Sequence, residues 1–411
     1  MALNYLWVFF FLIAFVVGLI KLIFFGDTEI FKLLMDGMFD SAEMAVMKIA
    51  LPLAGVMTFF MGILNIGEKA GAVNFLARII RPFFSKLFPE IPPNDPVHGQ
   101  MIMNFSANML GLDNAATPFG LKAMQSLQNL NPTKNVASNA QIMFLVLHSA
   151  GPVLIPLSIM AQRSIYGAAD ASDIFIPCLI ATYFATLTGM LFVAIKQKIN
   201  LFDNVIISWL GSITLGIILL LWYLNGLPKD QIQIFSKVFS NLILYGLIIS
   251  FIVGALIKKI DVFDAFIEGA KGGIETSLKI IPYLVGMLVA ISALRNSGAL
   301  AWTSDGIKYI VSLTGFDTRF TDALPTALMH PFSGGGSRAM MIDSMKTYGA
   351  DSFVGRLSCV FQGSADTIFY VIALYFGSVN IKNTRYTLYA GLLADLVGVT
   401  VAIVVSYLFF G

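Results

Sequence analysis

Apolar stretches of roughly twenty residues recur along this chain, parted by short polar segments, and each is long enough to cross a bilayer as a helix. Nine are predicted as spans: 4–25, 46–66, 137–163, 174–198, 203–224, 237–257, 278–296, 353–377 and 386–410. Two further segments, 98–128 and 320–349, are interrupted in the middle by Gly, Asn and Ser. One interruption runs from Asn104 to Asn114; the other reads His330-Pro331-Phe332-Ser333-Gly334-Gly335-Gly336-Ser337-Arg338. In hydrocarbon every backbone N–H and C=O needs a partner, so a broken helix survives only when buried in protein or lining a wet cavity. Both segments are therefore predicted to be re-entrant helical hairpins. Gly26–Glu43, Ala72–Phe88 and Asp261–Glu275 carry more charge and are predicted as amphipathic helices at the membrane surface.

The two halves of the chain follow one plan. Phe31-x5-Gly37 corresponds to Phe263-x5-Gly269, Lys48-Ile49-Ala50-Leu51-Pro52 to Lys279-Ile280-Ile281-Pro282, and Phe105-Ser106 to Phe332-Ser333. Later, His148-Ser149-Ala150-Gly151-Pro152 parallels Gly363-Ser364-Ala365-Asp366-Thr367. The division expected is a first repeat over 1–200, a linker helix over 201–230 and a second repeat over 231–411. Lys and Arg gather in 67–97, at Lys196 and Lys198, in 258–277 and at Lys382 and Arg385, all on one side of the nine-span arrangement. By the positive-inside rule that side is the cytoplasm, which puts the N-terminus inside and the C-terminus outside. The hairpins then enter from opposite faces. The fold class expected is an all-α integral membrane protein with two inverted-topology repeats, each holding a re-entrant hairpin and interrupted transmembrane helices.

Composition agrees: 57% of the 411 residues are hydrophobic and 12% charged, against about 25% charged in soluble domains. Mean hydropathy is +0.81. Asn4–Phe25 holds one charge, Lys21, and no cleavage pattern follows it, so it is expected to be a mature span rather than a signal peptide. The formal net charge of +2 comes without a basic cluster, so no nucleic-acid partner is expected. Cys178 and Cys359 stand alone in apolar spans and read as packing residues. There is no GxxxxGK[ST] loop and no HExxH, and the three histidines, His98, His148 and His330, are far apart. An enzyme is not expected, nor a bound metal or other cofactor, beyond Na+ or H+ as a coupling ion.

The candidate chemistry lies at the interruptions. Matched breaks in the two halves of a carrier point to its binding site. In the first break Asn104, Ser106, Asn108 and Asn114 supply amides and a hydroxyl, and Thr117 is expected to cap the returning half-helix with Pro118 in its first turn. In the second, Ser333, Gly334 and Gly335 open the backbone, and Ser337 is expected to cap the helix that carries Arg338. His148 and Ser149 lie mid-span before Pro152; His148 can bind solute, relay a proton or hold the kink. Gln362, Ser364, Asp366 and Thr367 lie at the corresponding depth of the second half. An ionisable group in mid-membrane costs several kcal/mol unless it is used, so Asp366 is the leading candidate for binding or ion coupling. Arg338 can pair with Asp366 or an anionic solute, or reach the outer surface instead. The site is expected where the two breaks meet.

Asn114-Ala115-Ala116-Thr117-Pro118-Phe119-Gly120-Leu121-Lys122-Ala123-Met124 resembles the bacterial spore maturation A proteins. Phe332-Ser333-Gly334-Gly335-Gly336-Ser337-Arg338, Gln362-Gly363-Ser364-Ala365-Asp366-Thr367 and Lys382-Asn383-Thr384-Arg385-Tyr386 resemble the B proteins. Both belong to the nucleoside-recognition, or gate, family, distantly related to concentrative nucleoside transporters. The resemblance implies inverted repeats that hold a solute, and sometimes sodium, between hairpin tips and interrupted helices. The function expected is a secondary transporter or exporter of a small anionic or zwitterionic metabolite, nucleoside- or dipicolinate-like, in the bacterial cytoplasmic membrane. The alternative is a non-transporting scaffold or assembly factor in envelope or spore maturation. Expected partners are the solute, membrane lipid and further copies of the chain.

Overall fold

Long apolar helices dominate, as the hydropathy pattern requires. The computed structural model describes residues 2–92, 95–110, 113–153 and 156–411; within these, a few side chains, including those of Asp113, Asn114, Ala115 and Pro118, lie outside the description. The described residues are helical, with one isolated β-bridge between Val136 and Asn383. Among the described residues six helical stretches are long and apolar enough to cross a membrane: Trp7–Phe25, Ile30–Ala70, Phe175–Gln197, Asn204–Leu224, Lys237–Ile257 and Thr387–Phe410. The chain is thus an all-α, multi-pass membrane protein.

Helix α1 (Ala2–Phe25) turns at Gly26, whose φ of 68° suits glycine, into α2 (Ile30–Met44). The sequence predicts a separate surface helix here. Instead α2 runs on through a π-helical turn, Ala45–Ala50, into α3 (Leu51–Ala70). Pro52 cannot donate to the Lys48 carbonyl; the wider turn, in which Leu51 N–H reaches Val46 O, carries the helix past the gap. Gly71, at φ 91°, turns the chain into α4 (Ala72–Leu87), amphipathic as expected, with Val73, Ile80, Phe83, Phe84 and Leu87 buried.

The first hairpin is α5 (Pro96–Met109) and α6 (Asp113–Leu130). Asp95 caps α5 by accepting from Val97 N–H at 2.9 Å, and Pro96 occupies the first turn, where its missing N–H costs nothing. Helices α7 (Asn139–Ser149), α8 (Leu157–Ile165) and α9 (Phe175–Gln197) follow. The predicted span 137–163 is therefore not continuous. Helix α10 (Asn204–Asn225) exposes Ile213, Leu215, Ile218, Leu219 and Trp222, a lipid-facing surface.

The second half repeats the order. Helix α11 (Lys229–Ile257) precedes α12 (Val262–Ser297), a helix of 36 residues that absorbs both the surface helix predicted at 261–275 and the span predicted at 278–296. The helix runs on through Gly272, Gly273 and Pro282. Gly298, at φ 90°, opens α13 (Ala299–Ser312) as Gly71 opens α4. A 3-10 turn (Arg319–Ala323) leads into α14 (Leu324–Met329) and α15 (Gly334–Tyr348), followed by α16 (Phe353–Gln362), α17 (Ile368–Ser378) and α18 (Thr387–Phe410). The predicted span 353–377 is also broken, between α16 and α17.

Two compact units interleave in sequence. The first comprises Met1–Phe59, Ser158–Ala171 and Lys271–Gln362; the second comprises Phe60–Leu157, Ser172–Ala270 and Gly363–Gly411. Each contains one hairpin and pieces of both halves. In the first unit Asn296 Nδ2 reaches Leu33 O at 3.4 Å, and Gly37 has no room for a Cβ against the Asn296 amide. In the second unit the counterpart residues have changed places: Asn65 Nδ2 donates to Ala265 O at 2.7 Å, and Gly269 has no room against Asn65. The Phe-x5-Gly motif of each half thus packs on an asparagine of the other half. Close approach at these two positions is what requires glycine.

The first unit is also stapled by Arg163, whose side chain is wholly buried. It donates to Ala350 O at 2.6 Å, Asp170 O at 3.1 Å and Asp351 Oδ1 at 3.1 Å, while Asp351 Oδ2 accepts from Ala169 N–H at 2.8 Å. This fastens the turn after α15 to the turn after α8. Cys359 is buried in the same unit with its Sγ 3.6 Å from Met345 Sδ, a packing role like that of buried Cys178 in the second unit.

Candidate functional site

The site in the second unit grows from the end of α7. Pro152 has no N–H to give the His148 carbonyl, so α7 stops with its last carbonyls needing partners. Three come from far along the chain. The hairpin helix α5 supplies Asn108, whose Nδ2 donates to His148 O at 3.3 Å. The break between α16 and α17 supplies the Asp366 N–H, which donates to Ser149 O at 2.7 Å. Helix α9 supplies Thr186, whose hydroxyl donates to Ala150 O. The buried helix end is thereby satisfied by the protein itself.

Side chains converge on the same point. Asn104, fully buried on α5, donates from Nδ2 to Ala116 O on α6 at 2.7 Å, which ties the two hairpin arms together. Its Oδ1 lies 3.0 Å from His148 Nδ1. Tyr375 of α17 stands edge-on to the imidazole with ring centroids 4.8 Å apart. Gly120 of α6 makes room for that tyrosine, since a Cβ there would sit 2.6 Å from the phenol and 2.7 Å from Asn104 Nδ2. The Ser106 hydroxyl is buried without a hydrogen-bond partner among the described residues, and the Tyr375 hydroxyl faces Asn104 and Thr117. Asp366 is exposed; its Oδ1 accepts from Thr367 N–H at 2.7 Å, which starts α17. Ser364 is buried against Gly398 of α18. Ser149 turns its hydroxyl back to Val146 O at 3.2 Å and joins the site through its carbonyl alone.

Two capping expectations are corrected. Thr117 does not cap the returning arm: α6 already begins at Asp113, its start held to α5 through Ala116, so Thr117 lies in the second turn. Asn114 is within α6, and its side chain falls outside the described residues. In the first unit Ser333, not Ser337, caps α15, accepting from Gly336 N–H at 3.0 Å. Gly334 and Gly335 therefore form the helix's first turn rather than an open loop. Ser337 instead donates to Thr326 O of α14 at 2.8 Å, tying the arms of the second hairpin as Asn104 ties those of the first. A Cβ on Gly336 would meet Met329 and Met287, so that turn is packed tight. Arg338 follows on α15, half-buried, and Gln362 ends α16 with its Oε1 buried and without a partner among the described residues.

The sequence reading missed Tyr375, Gly120 and Thr186. A tyrosine within the apolar run of α17 was the available signal, but nothing local marks its partner. Equally hidden was the work of Lys382–Tyr386. The backbone N–H groups of Lys382 and Asn383 both donate to Asn135 O at 3.0 Å, and Arg385 reaches Ala137 O at 3.1 Å, clamping the loop between α6 and α7. Among the described residues no group of three or more His, Cys, Asp or Glu could hold a metal ion.

Comparison with known proteins follows this geometry. The family model described as Gate, nucleoside recognition, matches residues 50–164 and 277–382. Spore maturation protein B of Bacillus subtilis (strain 168) is 44% identical over 188 residues, covering 46% of this chain and 97% of that protein. Spore maturation protein A of the same organism is 39% identical over 147 residues, covering 36% of this chain and 74% of that protein. No solved structure matches. With both hairpins inside the matched stretches and two relatives covered over most of their length, the chain belongs to the Gate, or nucleoside-recognition, family of membrane proteins.

Proposed function

We propose that this protein is a secondary carrier of a small polar solute, anionic or zwitterionic and of nucleoside or dipicolinate size, moved by alternating access and driven by a sodium or proton gradient. The observation that carries the reading is the junction at Ser149 and Asp366. Two helices broken at matched positions of the two halves meet there, beside Asn104, Asn108, His148 and an exposed carboxylate. Discontinuous helices with polar ends at mid-depth are what carriers use to bind solute and coupling ion. The family description, nucleoside recognition, supports a small-molecule ligand.

In this reading 1–200 and 231–411 are inverted repeats joined by the linker 201–230. The reciprocal contacts Gly37–Asn296 and Gly269–Asn65 support a pseudo-twofold relation between the halves. The Lys and Arg distribution supports opposite orientation, with the N-terminus cytoplasmic, the C-terminus outside and the hairpins re-entrant from opposite faces. Asn104, Ser106, Asn108, Asn114, Thr117, His148, Ser149, Ser364, Asp366 and Thr367 are the binding residues proposed from the second unit. Ser333, Gly334, Gly335, Ser337, Arg338 and Gln362 are those proposed from the first. A second reading, a scaffold in envelope or spore maturation, draws support from the names of the two relatives.

A thermal-unfolding screen of the purified protein in detergent, against nucleosides, amino acids, dicarboxylates and dipicolinate, separates the two. A ligand present at a hundred times its Kd stabilises the folded form by about 2.7 kcal/mol. The carrier reading expects at least one solute class to raise the unfolding temperature of the parent and to lose that effect in Asp366→Asn. A screen in which no solute stabilises the parent favours the scaffold.

A further inference from the structure

The amide of Asn104 has one orientation open to it. Its Nδ2 is committed to the Ala116 carbonyl, which can only accept, so Oδ1 must be the atom that faces His148. An amide oxygen accepts and never donates, and the ring atom opposite it is Nδ1. Neutral His148 therefore keeps its proton on Nδ1, and Nε2 carries an open lone pair. Hydrogen bonding at one ring nitrogen sets the chemistry of the other in this way. Nε2 has no hydrogen-bond partner among the described residues.

The surroundings of the ring are specific. Tyr375 packs edge-on from α17 and Phe144 from its own helix, with centroids 6.4 Å away. The carboxylate held at this junction is that of Asp366, whose backbone N–H donates to the carbonyl of Ser149, the residue after His148. Helices α5, α6, α9 and α18 also pack on α7, and none adds a further charge to the ring among the described residues. A histidine serving only to hold a kink would need its Nδ1 bond. It would not need an open Nε2 at a junction that also holds the exposed Asp366.

We propose that His148 is the proton-binding group of this site, with Nε2 as the atom that takes the proton and Asp366 as the counter-charge for the imidazolium. The proposal rests on the carrier reading and names the proton as the coupling ion. Uptake forms one N–H bond at Nε2 and adds one positive charge to the ring. Nδ1–H stays with Asn104, so the hairpin keeps its hold, while the new charge falls beside the second broken segment. Release returns the lone pair to Nε2 and the proton to water. Asn104 is a positioning residue here: it fixes which nitrogen is free.

Histidine-labelled protein in lipid nanodiscs tests this by 15N NMR across pH, because only three histidines are present. The signal absent from His148→Gln is assigned to His148, with circular dichroism confirming that this variant is folded; if it is not, His148→Asn supplies the assignment. The expected result is an Nδ1–H tautomer at high pH, uptake of one proton as pH falls, and a titration that Asp366→Asn moves to lower pH. A ring with its proton on Nε2, a signal that does not titrate, or a titration indifferent to Asp366→Asn overturns the assignment. Proteoliposome flux then separates the two claims. Flux driven by sodium alone, unmoved by a pH gradient, overturns proton coupling. A normal titration with no flux of any solute removes the carrier reading and the coupling role, while the proton-binding assignment stands on the spectrum.

Discussion

Asn104→Leu is expected to destabilise the protein by about 2–6 kcal/mol and to loosen the first hairpin specifically. The asparagine is fully buried, and leucine has a similar volume, so the loss is one of polar partners and not of packing. Two groups lose theirs: the Ala116 carbonyl on the other arm and the Nδ1–H of His148. Each buried polar atom left alone costs about 1–3 kcal/mol, which sets the range. Denaturation in detergent measures the total, and amide hydrogen exchange locates it. Protection should fall first in 96–130 and at the end of α7, with α9 and α18 affected least. Uniform loss of protection, or none, would mean that the Asn104 bonds do not hold the hairpin arms.

Arg163→Met is expected to cost about 3 kcal/mol, the lower end of the range for breaking a buried ion pair by removing one partner. The low end applies because Asp351 keeps 37% of its side-chain surface exposed and retains Arg356. What cannot recover is the Ala350 carbonyl, which receives its 2.6 Å bond from inside the protein. Arg163→Lys should rescue little, since one ammonium cannot span Ala350, Asp170 and Asp351 together. Limited proteolysis should cut the Arg163→Met variant at 166–171 or 349–352 well below the temperature at which the parent is cut. Equal resistance of parent and variant would show that these turns are held by other means.

Much of this architecture could be read from residue order, and the reasons differ between elements. Both hairpin segments stood out because Gly, Asn and Ser interrupt apolar helices where the bilayer would punish a break. The Phe-x5-Gly match proved informative for the same kind of reason: Gly37 and Gly269 are glycine because an asparagine backs onto each. Continuity across α2 and α3 was hidden, because a π-turn removes the boundary that charge and proline imply. Helix starts were misjudged by four or five residues at Ser333 and Asp113, where the tie between hairpin arms decides and local capping preference does not.

The site was legible as a collection of residue types and not as a set of partners. His148, Asp366, Asn104 and Asn108 were each conspicuous as polar groups in apolar surroundings. Their bonds join residues 40, 44 and more than 200 positions apart, and no periodic pattern records such a pairing. Tyr375 and Thr186 escaped notice because a tyrosine or threonine within a span is ordinary until its neighbour is known. Arg163 drew no notice in the sequence; only the fold encloses it.

Solute flux in proteoliposomes reaches the main claim without intermediaries. Parent protein, Asp366→Asn and Asn108→Leu are reconstituted at equal density, and uptake of labelled nucleosides, dicarboxylates and dipicolinate is followed under an imposed sodium or proton gradient. The account predicts gradient-driven uptake of at least one of these by the parent, reduced tenfold or more in Asp366→Asn while the protein remains folded. Uptake equal in parent and Asp366→Asn, or no uptake by a folded parent under either gradient, would contradict it.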